Sequence, residues 1–473
     1  MSEKRHDPLG GAVSMLGGSF SAEPHPCRHA APTTARPWVG APGTVGTIAV
    51  IGSGKIGLPL GLQFASHGWR VHAVDINPAL VEAINSGAAP WGGEPGLAEA
   101  LAEHVGSGRL RATTDGPAAV RDADVALVVV PVLVREDGSI ADRALVGATE
   151  TLIAGAHDDL LVILETTVPI GTTRDLVAKV AKASSARLYG CFSPERVLTG
   201  QTFRNLAAYP KLVGGTDAAS LERAAAFYES VLDAPIARMA TLEAAEMAKL
   251  AETTYRDVNI ALANEFARVA DRHGIDLSEV IRAANSQPYS HIHEPGIGVG
   301  GHCIPVYPRM ILATDGDLDV IKAARGVNDA QVEHAANALE IGLGTLSGAK
   351  VAVLGLTYRE GVRELAHARG PLMAAALQAR GATVVGHDPL LSADDVRGLG
   401  MEAWDGKSPL PGVRAVVVAT ADAAYRTADF ATLFPDARLF VDGRNACAGA
   451  TLPQGARRLG FGRPGGVAAG RRP

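Results

Sequence analysis

Cysteine is scarce in this chain: four residues, at 27, 191, 303 and 447, lie far apart with no CxxC pair among them. That argues against a disulfide framework or a cysteine-based zinc module, and it fits the reducing cytoplasm. Long apolar runs are also missing. Nothing approaches the roughly eighteen consecutive apolar residues of a spanning helix, so no membrane partner is expected. Neither sign of charge dominates: 44 Lys+Arg against 50 Asp+Glu leave −6, which gives no general attraction to nucleic acid. What remains is an ordinary globular composition, 47% hydrophobic and 20% charged, spread over 473 residues. That length is too great for one core and implies two or three domains. Residues 1–46 are rich in Gly, Pro, Ala and His and lack an apolar h-region. They read as a disordered extension rather than a signal peptide; a start codon assigned too far upstream would explain them equally well.

The most informative stretch is Gly298-Val299-Gly300-Gly301-His302-Cys303. Glycines at 296, 298, 300 and 301 free the backbone for positive φ and for close approach to a ligand. A thiol on such a loop suits a nucleophile. A packing cysteine beside a turn is the competing reading of the loop alone, and the remainder of the chain favours the nucleophile.

Folded sequence begins at Thr47. The apolar run 48–51 leads into Gly52-Ser53-Gly54-Lys55-Ile56-Gly57, then a helical pattern closed by Gly68, then a strand over 71–74 ending in Asp75. Strand, GxGxxG, helix, strand and terminal acid stand in the order that a dinucleotide site requires. The glycines admit the pyrophosphate and the helix N-terminus supplies amides. Asp75 would take the ribose hydroxyls, favouring NAD over NADP. Lys55 is not followed by Ser or Thr, so it is no Walker lysine.

Further strand signals at 125–130 and 161–164 extend a doubly wound sheet to about residue 240. From 241 to 273 the apolar spacing is helical, a rod of about 50 Å long enough to join two domains or build a dimer interface. A second βα series starts at Lys350, with strands at 351–354, 383–385, 413–419 and 439–441 but no GxGxxG. The expected architecture is α/β, with two Rossmann-like doubly wound domains joined by a long central helix. The expected boundaries are 47–240, 241–345 and 346–454, with a flexible Gly- and Arg-rich tail over 455–473.

Several segments resemble the nucleotide-sugar 6-dehydrogenases, which oxidise a UDP-hexose to its uronic acid with two NAD. Glu165-Thr166-Thr167-Val168-Pro169-Ile170-Gly171-Thr172-Thr173 is similar to the family's ESTVPVGTT segment, and Ser193-Pro194-Glu195-Arg196-Val197-Leu198 to its CPERVLPG segment. Ala245-Glu246-Met247-Ala248-Lys249-Leu250 resembles its AEMVKL helix start, and residues 298–305 its GVGGHCIP loop. The resemblance runs from about 47 to 446 in family order. It is nearest to the N-acetylhexosamine branch that includes the UDP-N-acetylmannosamine dehydrogenases. It implies Cys303 as the nucleophile holding C6 as thiohemiacetal and thioester, Glu195 as general acid/base and Lys249 as the oxyanion stabiliser. Thr167 would position the catalytic water beside the nicotinamide. The resemblance also implies sugar-nucleotide contacts from Glu195, Arg196, Val197, Lys249, Gly300, His302, Tyr358 and Arg359, and a homodimer acting in polysaccharide biosynthesis, with a surface polysaccharide or a specialised metabolite both left open as the product.

Departures from the family pattern are specific. Thr253 stands for an asparagine one helical turn after Lys249, where it is expected to face the same pocket. Val132 replaces a cofactor-side threonine, Tyr289 an arginine that reaches a neighbouring subunit, and Ala368 a serine; Tyr307 stands where many members carry an aspartate and some a tyrosine. They leave open UDP-N-acetylglucosamine or UDP-glucose as substrate, and a degenerate sugar-nucleotide-binding paralogue. His291, His293 and His302 near Cys303 could suggest zinc by count, but ligation would consume the thiolate, so no metal is expected.

Overall fold

Strands Thr47–Ile51, Val125–Val128 and Leu161–Leu164 are buried along their whole length. Their apolar runs are continuous rather than alternating, the pattern of parallel strands covered on both faces. In the computed structural model, which describes residues 45–135, 139–197 and 200–467, these strands form the middle of an eight-stranded sheet. From edge to edge its order is Ile236–Arg238, Lys211–Gly215, Tyr189–Phe192, Leu161–Leu164, Val125–Val128, Thr47–Ile51, Arg70–Val74 and Leu110–Thr113. All pairings are parallel except Tyr189–Phe192 with Lys211–Gly215. The strand order reverses direction beside Thr47–Ile51, and in doubly wound sheets the crevice at that point takes the ligand.

A six-stranded sheet repeats the plan: Glu402–Ala403, Thr383–His387, Lys350–Leu354, Val413–Val418, Leu439–Asp442 and Arg457–Gly460, all parallel. Its last strand corrects the expectation of an unstructured tail from 455. Arg457–Gly460 pairs with Leu439–Asp442, and Phe461, 3% exposed, enters the core beneath it. Leu459, Phe461 and Val467 enter that core from a segment dominated by glycine and arginine, and Asn445 bonds both the amide and the carbonyl of Phe461. Residues 1–44 and 468–473, and with them most of the expected extension and the tail's end, lie outside the described residues; so does Leu198.

Helix Leu242–His273 connects the two sheets. Thr241 accepts the Ala244 amide at its start, Glu243 lies in the first turn, Arg272 and His273 in the last, and left-handed Gly274 closes it. Each feature complements an exposed helix end or its dipole. Leu242, Ala245 and Leu250 pack into the core of the first sheet, whereas Ala267 and Ala270 pack into that of the second. Near the first core, Glu246 accepts hydrogen bonds from the amides of Gly171 (2.6 Å) and Thr173 (3.0 Å) and from the Thr173 hydroxyl (2.6 Å). A carboxylate there satisfies the orphan amides of helix Thr172–Ser184, and so ties the segment carrying Thr167 to the helix carrying Lys249.

Candidate active site

Three glycines after the first strand do different work. Gly52 has φ +97°, and a side chain there would run into the Val129 carbonyl. A side chain on Gly57 would strike the carbonyl of Gly52, so its absence lets the helix start against the strand. Gly54 faces open space, with nothing within 4 Å of a would-be Cβ. That opening is where a ligand can approach the backbone. Helix Gly57–Ser66 begins with no side-chain cap; Leu58 and Leu60 donate to the carbonyls of Gly54 and Ile56 and Pro59 has no N–H, so the Gly57 amide and those of the glycine loop before it are what an anion would meet. Asp75 sits at the end of the second strand, with one oxygen on the Ser53 amide (3.0 Å) and the other on the Asn77 amide (2.9 Å). Uncapped helix, open glycine and strand-end carboxylate together fit a dinucleotide.

The cysteine loop also needs its glycines for packing. Gly298 (φ +110°) lies against the Arg369 guanidinium, Gly301 (φ +91°) against the Tyr358 ring, and Gly300 against the His367 carbonyl. Arg369 donates Nε–H (3.1 Å) and Nη2–H (2.6 Å) to the Val299 carbonyl, and Arg444 donates to that of Gly298 (3.1 Å). The segment after strand Lys350–Leu354 thus clamps the loop while Cys303 itself stays exposed.

These parts meet around a cavity of about 410 Å³. Gly54, Lys55, Ile56 and Gly57 form one wall. Thr167, Glu195, Val197 and Lys249 form a second, and His302, Cys303, Tyr307 and Tyr358 a third. Lys249 is buried by the long helix, its ammonium 3.2 Å from Glu252 and 5.9 Å from the centre of the Tyr307 ring. Glu195 accepts the amides of Arg196 (2.6 Å) and Val197 (2.7 Å) on one oxygen, while its other oxygen is buried without a hydrogen-bond partner. Such a carboxylate is fixed in position with one oxygen left for chemistry. Cys303 and Tyr307 approach to 3.7 Å between Sγ and Oη.

Not every expected residue lines the cavity. Thr253 is buried, and its hydroxyl donates back to the Lys249 carbonyl (3.4 Å), a common satisfaction of a mid-helix threonine. The expectation that it faces the reacting centre is therefore not met. Arg196 turns to Glu252 (3.0 Å) and the Pro210 carbonyl. Gly52, Asp75, Gly300 and Arg359 are not among the residues lining the cavity, and Arg359 lies beside the Tyr358 ring. Val132 does line the cavity, Ala368 is buried, and Tyr289 is 92% exposed.

The structure adds residues that the sequence reading passed over. Glu165 lies on the cavity wall, fully buried, with Lys211 at 2.8 Å and the Tyr228 hydroxyl donating to it at 2.5 Å. Burial, helped by the charge of Glu195, pushes the Glu165 carboxyl up to about 7 against the pull of Lys211. Lys211 also stands 3.9 Å from Glu195. Glu364 links the Lys55 ammonium (3.5 Å) and His302 (3.7 Å) across the cavity mouth. Only the strand-end position of Glu165 was available as a signal; the others depend on contacts between distant segments. Among the described residues, no group of three or more His, Cys, Asp or Glu is placed to share a metal ion.

The chain matches the UDP-glucose/GDP-mannose dehydrogenase family in all three of its parts: the NAD binding domain over residues 46–232, the central domain over 243–330 and the UDP binding domain over 352–449. It is 35% identical over 346 residues to a UDP-N-acetyl-D-mannosamine dehydrogenase of Methanococcus maripaludis, covering 72% of this chain and 79% of that one. Among solved structures, a UDP-D-ManNAc dehydrogenase from Pyrococcus horikoshii superimposes with TM-score 0.80 at 30% identity, covering 89% of this chain and 100% of the other. A UDP-glucose dehydrogenase from Pyrobaculum islandicum superimposes almost as well, at TM-score 0.79 and 28% identity over 88% of this chain and 98% of the other. The backbone therefore does not choose between the sugars. The chain belongs to the UDP-glucose/GDP-mannose dehydrogenase family and is an NAD-dependent nucleotide-sugar dehydrogenase.

Proposed function

We propose that the chain oxidises C6 of a UDP-N-acetylhexosamine, with UDP-N-acetylmannosamine favoured, to the uronic acid through a covalent intermediate on Cys303. The observation that carries this reading is convergence. Cys303, Lys249, Glu195 and Thr167 come from four separated segments, yet all line the cavity whose other wall is the glycine loop. NAD, when bound on that loop, accepts the hydride in each of the two oxidation steps. The Lys249 ammonium stands where a C6 oxygen gains negative charge, and a fixed cation in a partly dry site stabilises that charge most in the transition state. The Cys303 thiolate adds to the C6 aldehyde, giving a thiohemiacetal that loses hydride to become a thioester. Glu195, whose second oxygen makes no hydrogen bond and faces the Lys211 ammonium at 3.9 Å, takes a proton from the water that hydrolyses the thioester. Thr167 on the same wall orients that water.

The relatives' names favour the N-acetylmannosamine sugar, while the Pyrobaculum neighbour supports UDP-glucose as the second reading. A panel of UDP-sugars, read by NADH formation, separates the two. In the same assay Cys303→Ser should form no uronate while still binding NAD and UDP-sugar, because a hydroxyl without its own base cannot replace a thiolate. Full turnover by that variant would end the covalent reading.

The assembly in this reading is a homodimer built on the central region, residues 241–345, between an NAD-binding unit at 47–240 and a UDP-sugar-binding unit that runs from 346 through strand Arg457–Gly460. Tyr255, Leu262, Phe266 and Val269 lie on one stripe of the long helix and are each 37–54% exposed. A charge in the middle of that stripe, Phe266→Glu, should shift the protein from dimer to monomer in sedimentation equilibrium. An unchanged mass would remove the stripe from the interface.

A further inference from the structure

Position 307 carries a tyrosine where many members of the family carry an aspartate, and the structure gives that tyrosine specific work. Helix Tyr307–Thr314 starts at this residue, and the Val306 and Tyr307 amides donate to the Cys303 carbonyl at 3.1 and 2.9 Å. One helical turn thus sets side chains 303 and 307 on the same side. The ring packs against the core of the first sheet, which fixes the hydroxyl, and Oη lies 3.7 Å from Cys303 Sγ. Thr167 lines the same cavity as the phenol. A phenol has one proton to give. As a thiol Cys303 donates to Oη; as a thiolate it has no proton to give, and the phenol's proton then turns to the sulfur. Burial, reinforced by the charge of Cys303, pushes the Tyr307 phenol well above its ordinary range, so it remains a donor throughout the working pH.

We propose that Tyr307 is a catalytic residue: its phenolic O–H donates a hydrogen bond to the Cys303 thiolate and aims the sulfur lone pair at the C6 aldehyde. The inference rests on the covalent reading above. The thiol first loses its proton to water. The sulfur lone pair then forms the S–C bond, and the carbonyl π pair moves to oxygen, facing the Lys249 ammonium. The phenol keeps its proton throughout, and nothing is oxidised or reduced in this step. An aspartate at 307 would set a second negative charge against the thiolate; tyrosine sets a neutral donor there. The ionisable groups facing this pair are Lys249 and Glu252 of the long helix, His302 of the same loop, and Tyr358 and Glu364 of the clamping segment. All of them persist in the variants below.

The test is the pH dependence of iodoacetamide alkylation at Cys303, followed on its peptide by mass spectrometry in the full-length protein, beside turnover with NAD and UDP-N-acetylmannosamine. Tyr307→Phe keeps the ring and its packing. It should move the alkylation midpoint up by about 1–2 pH units, the worth of a hydrogen bond to a charged group. It should also slow kcat about tenfold or more with KM for the sugar little changed. Tyr307→Asp should move the midpoint further in the same direction. Superimposable alkylation curves for wild type and Tyr307→Phe would overturn the proposal. A shifted curve with unchanged turnover would overturn the catalytic role and, because the hydrogen bond then exists, would place the error in the covalent reading instead.

Discussion

The two sheets present the same device at the same place and use it differently. In each, an apolar first strand ends in a positive-φ glycine: Gly52 at +97° against the Val129 carbonyl, and Gly355 at +77° against that of Thr420. In each, the second strand ends in an aspartate. Asp75 is half-buried and holds one loop amide, that of Ser53, on one oxygen. Asp388 is 3% exposed, and a single oxygen accepts the Leu356 amide (2.7 Å), the Thr357 amide (2.8 Å) and the Thr357 hydroxyl (2.9 Å). The difference follows from what succeeds the glycine. After Gly52 the chain enters a helix almost at once, with an open glycine at 54. After Gly355 it runs through the segment that clamps the cysteine loop before helix Arg369–Gln378 begins. One carboxylate is left for a ligand and the other is consumed by its own loop. The fold supplies the position, and the loop decides its use.

Paired substitutions can break this comparison. The largest effect is expected at the switch-point glycines. Gly355→Ala forces a methyl into backbone at positive φ and should lower stability by about 3 kcal/mol or more, read as a fall in melting temperature. Gly54→Val, facing open space, should leave the melting temperature nearly unchanged while weakening NAD binding by about 100-fold, or some 2.7 kcal/mol. Loss of stability in Gly54→Val would show that the opening is structural. The aspartates should divide in the same way with smaller effects. Asp388→Ala strands several buried donors and should cost about 2–4 kcal/mol of stability with NAD affinity intact. Asp75→Ala should keep its stability, weaken NAD binding about tenfold and narrow the preference over NADP. Equal behaviour of the two variants would dissolve the distinction.

Much of this organisation was legible in the sequence because it depends on local pattern. Continuous apolar runs marked buried parallel strands, GxGxxG with Asp75 marked the dinucleotide loop, and the spacing over 241–273 closely matched helix Leu242–His273. The tail was misread because composition, dominated by Gly and Arg, hid the apolar residues Leu459, Phe461 and Val467 that enter the core beside strand Arg457–Gly460. Thr253 was misread because helical spacing gives a face but not a rotamer, and a threonine hydroxyl can return to its own backbone. The glycines of the cysteine loop were assigned to ligand approach, whereas packing against Tyr358 and Arg369 also requires them. The buried Glu165–Lys211–Tyr228 group lay beyond sequence reasoning. Its members are 63 and 17 residues apart, and only the sheet brings them together.

The most direct test of the account is the stoichiometry of the purified full-length protein with a limiting amount of UDP-N-acetylmannosamine and excess NAD. A four-electron oxidation held on Cys303 predicts two NADH formed and one uronate released for each sugar consumed, with no aldehyde escaping to a carbonyl trap. One NADH per sugar with trapped aldehyde, or sugar-nucleotide binding with no NADH from any sugar tested, would contradict it.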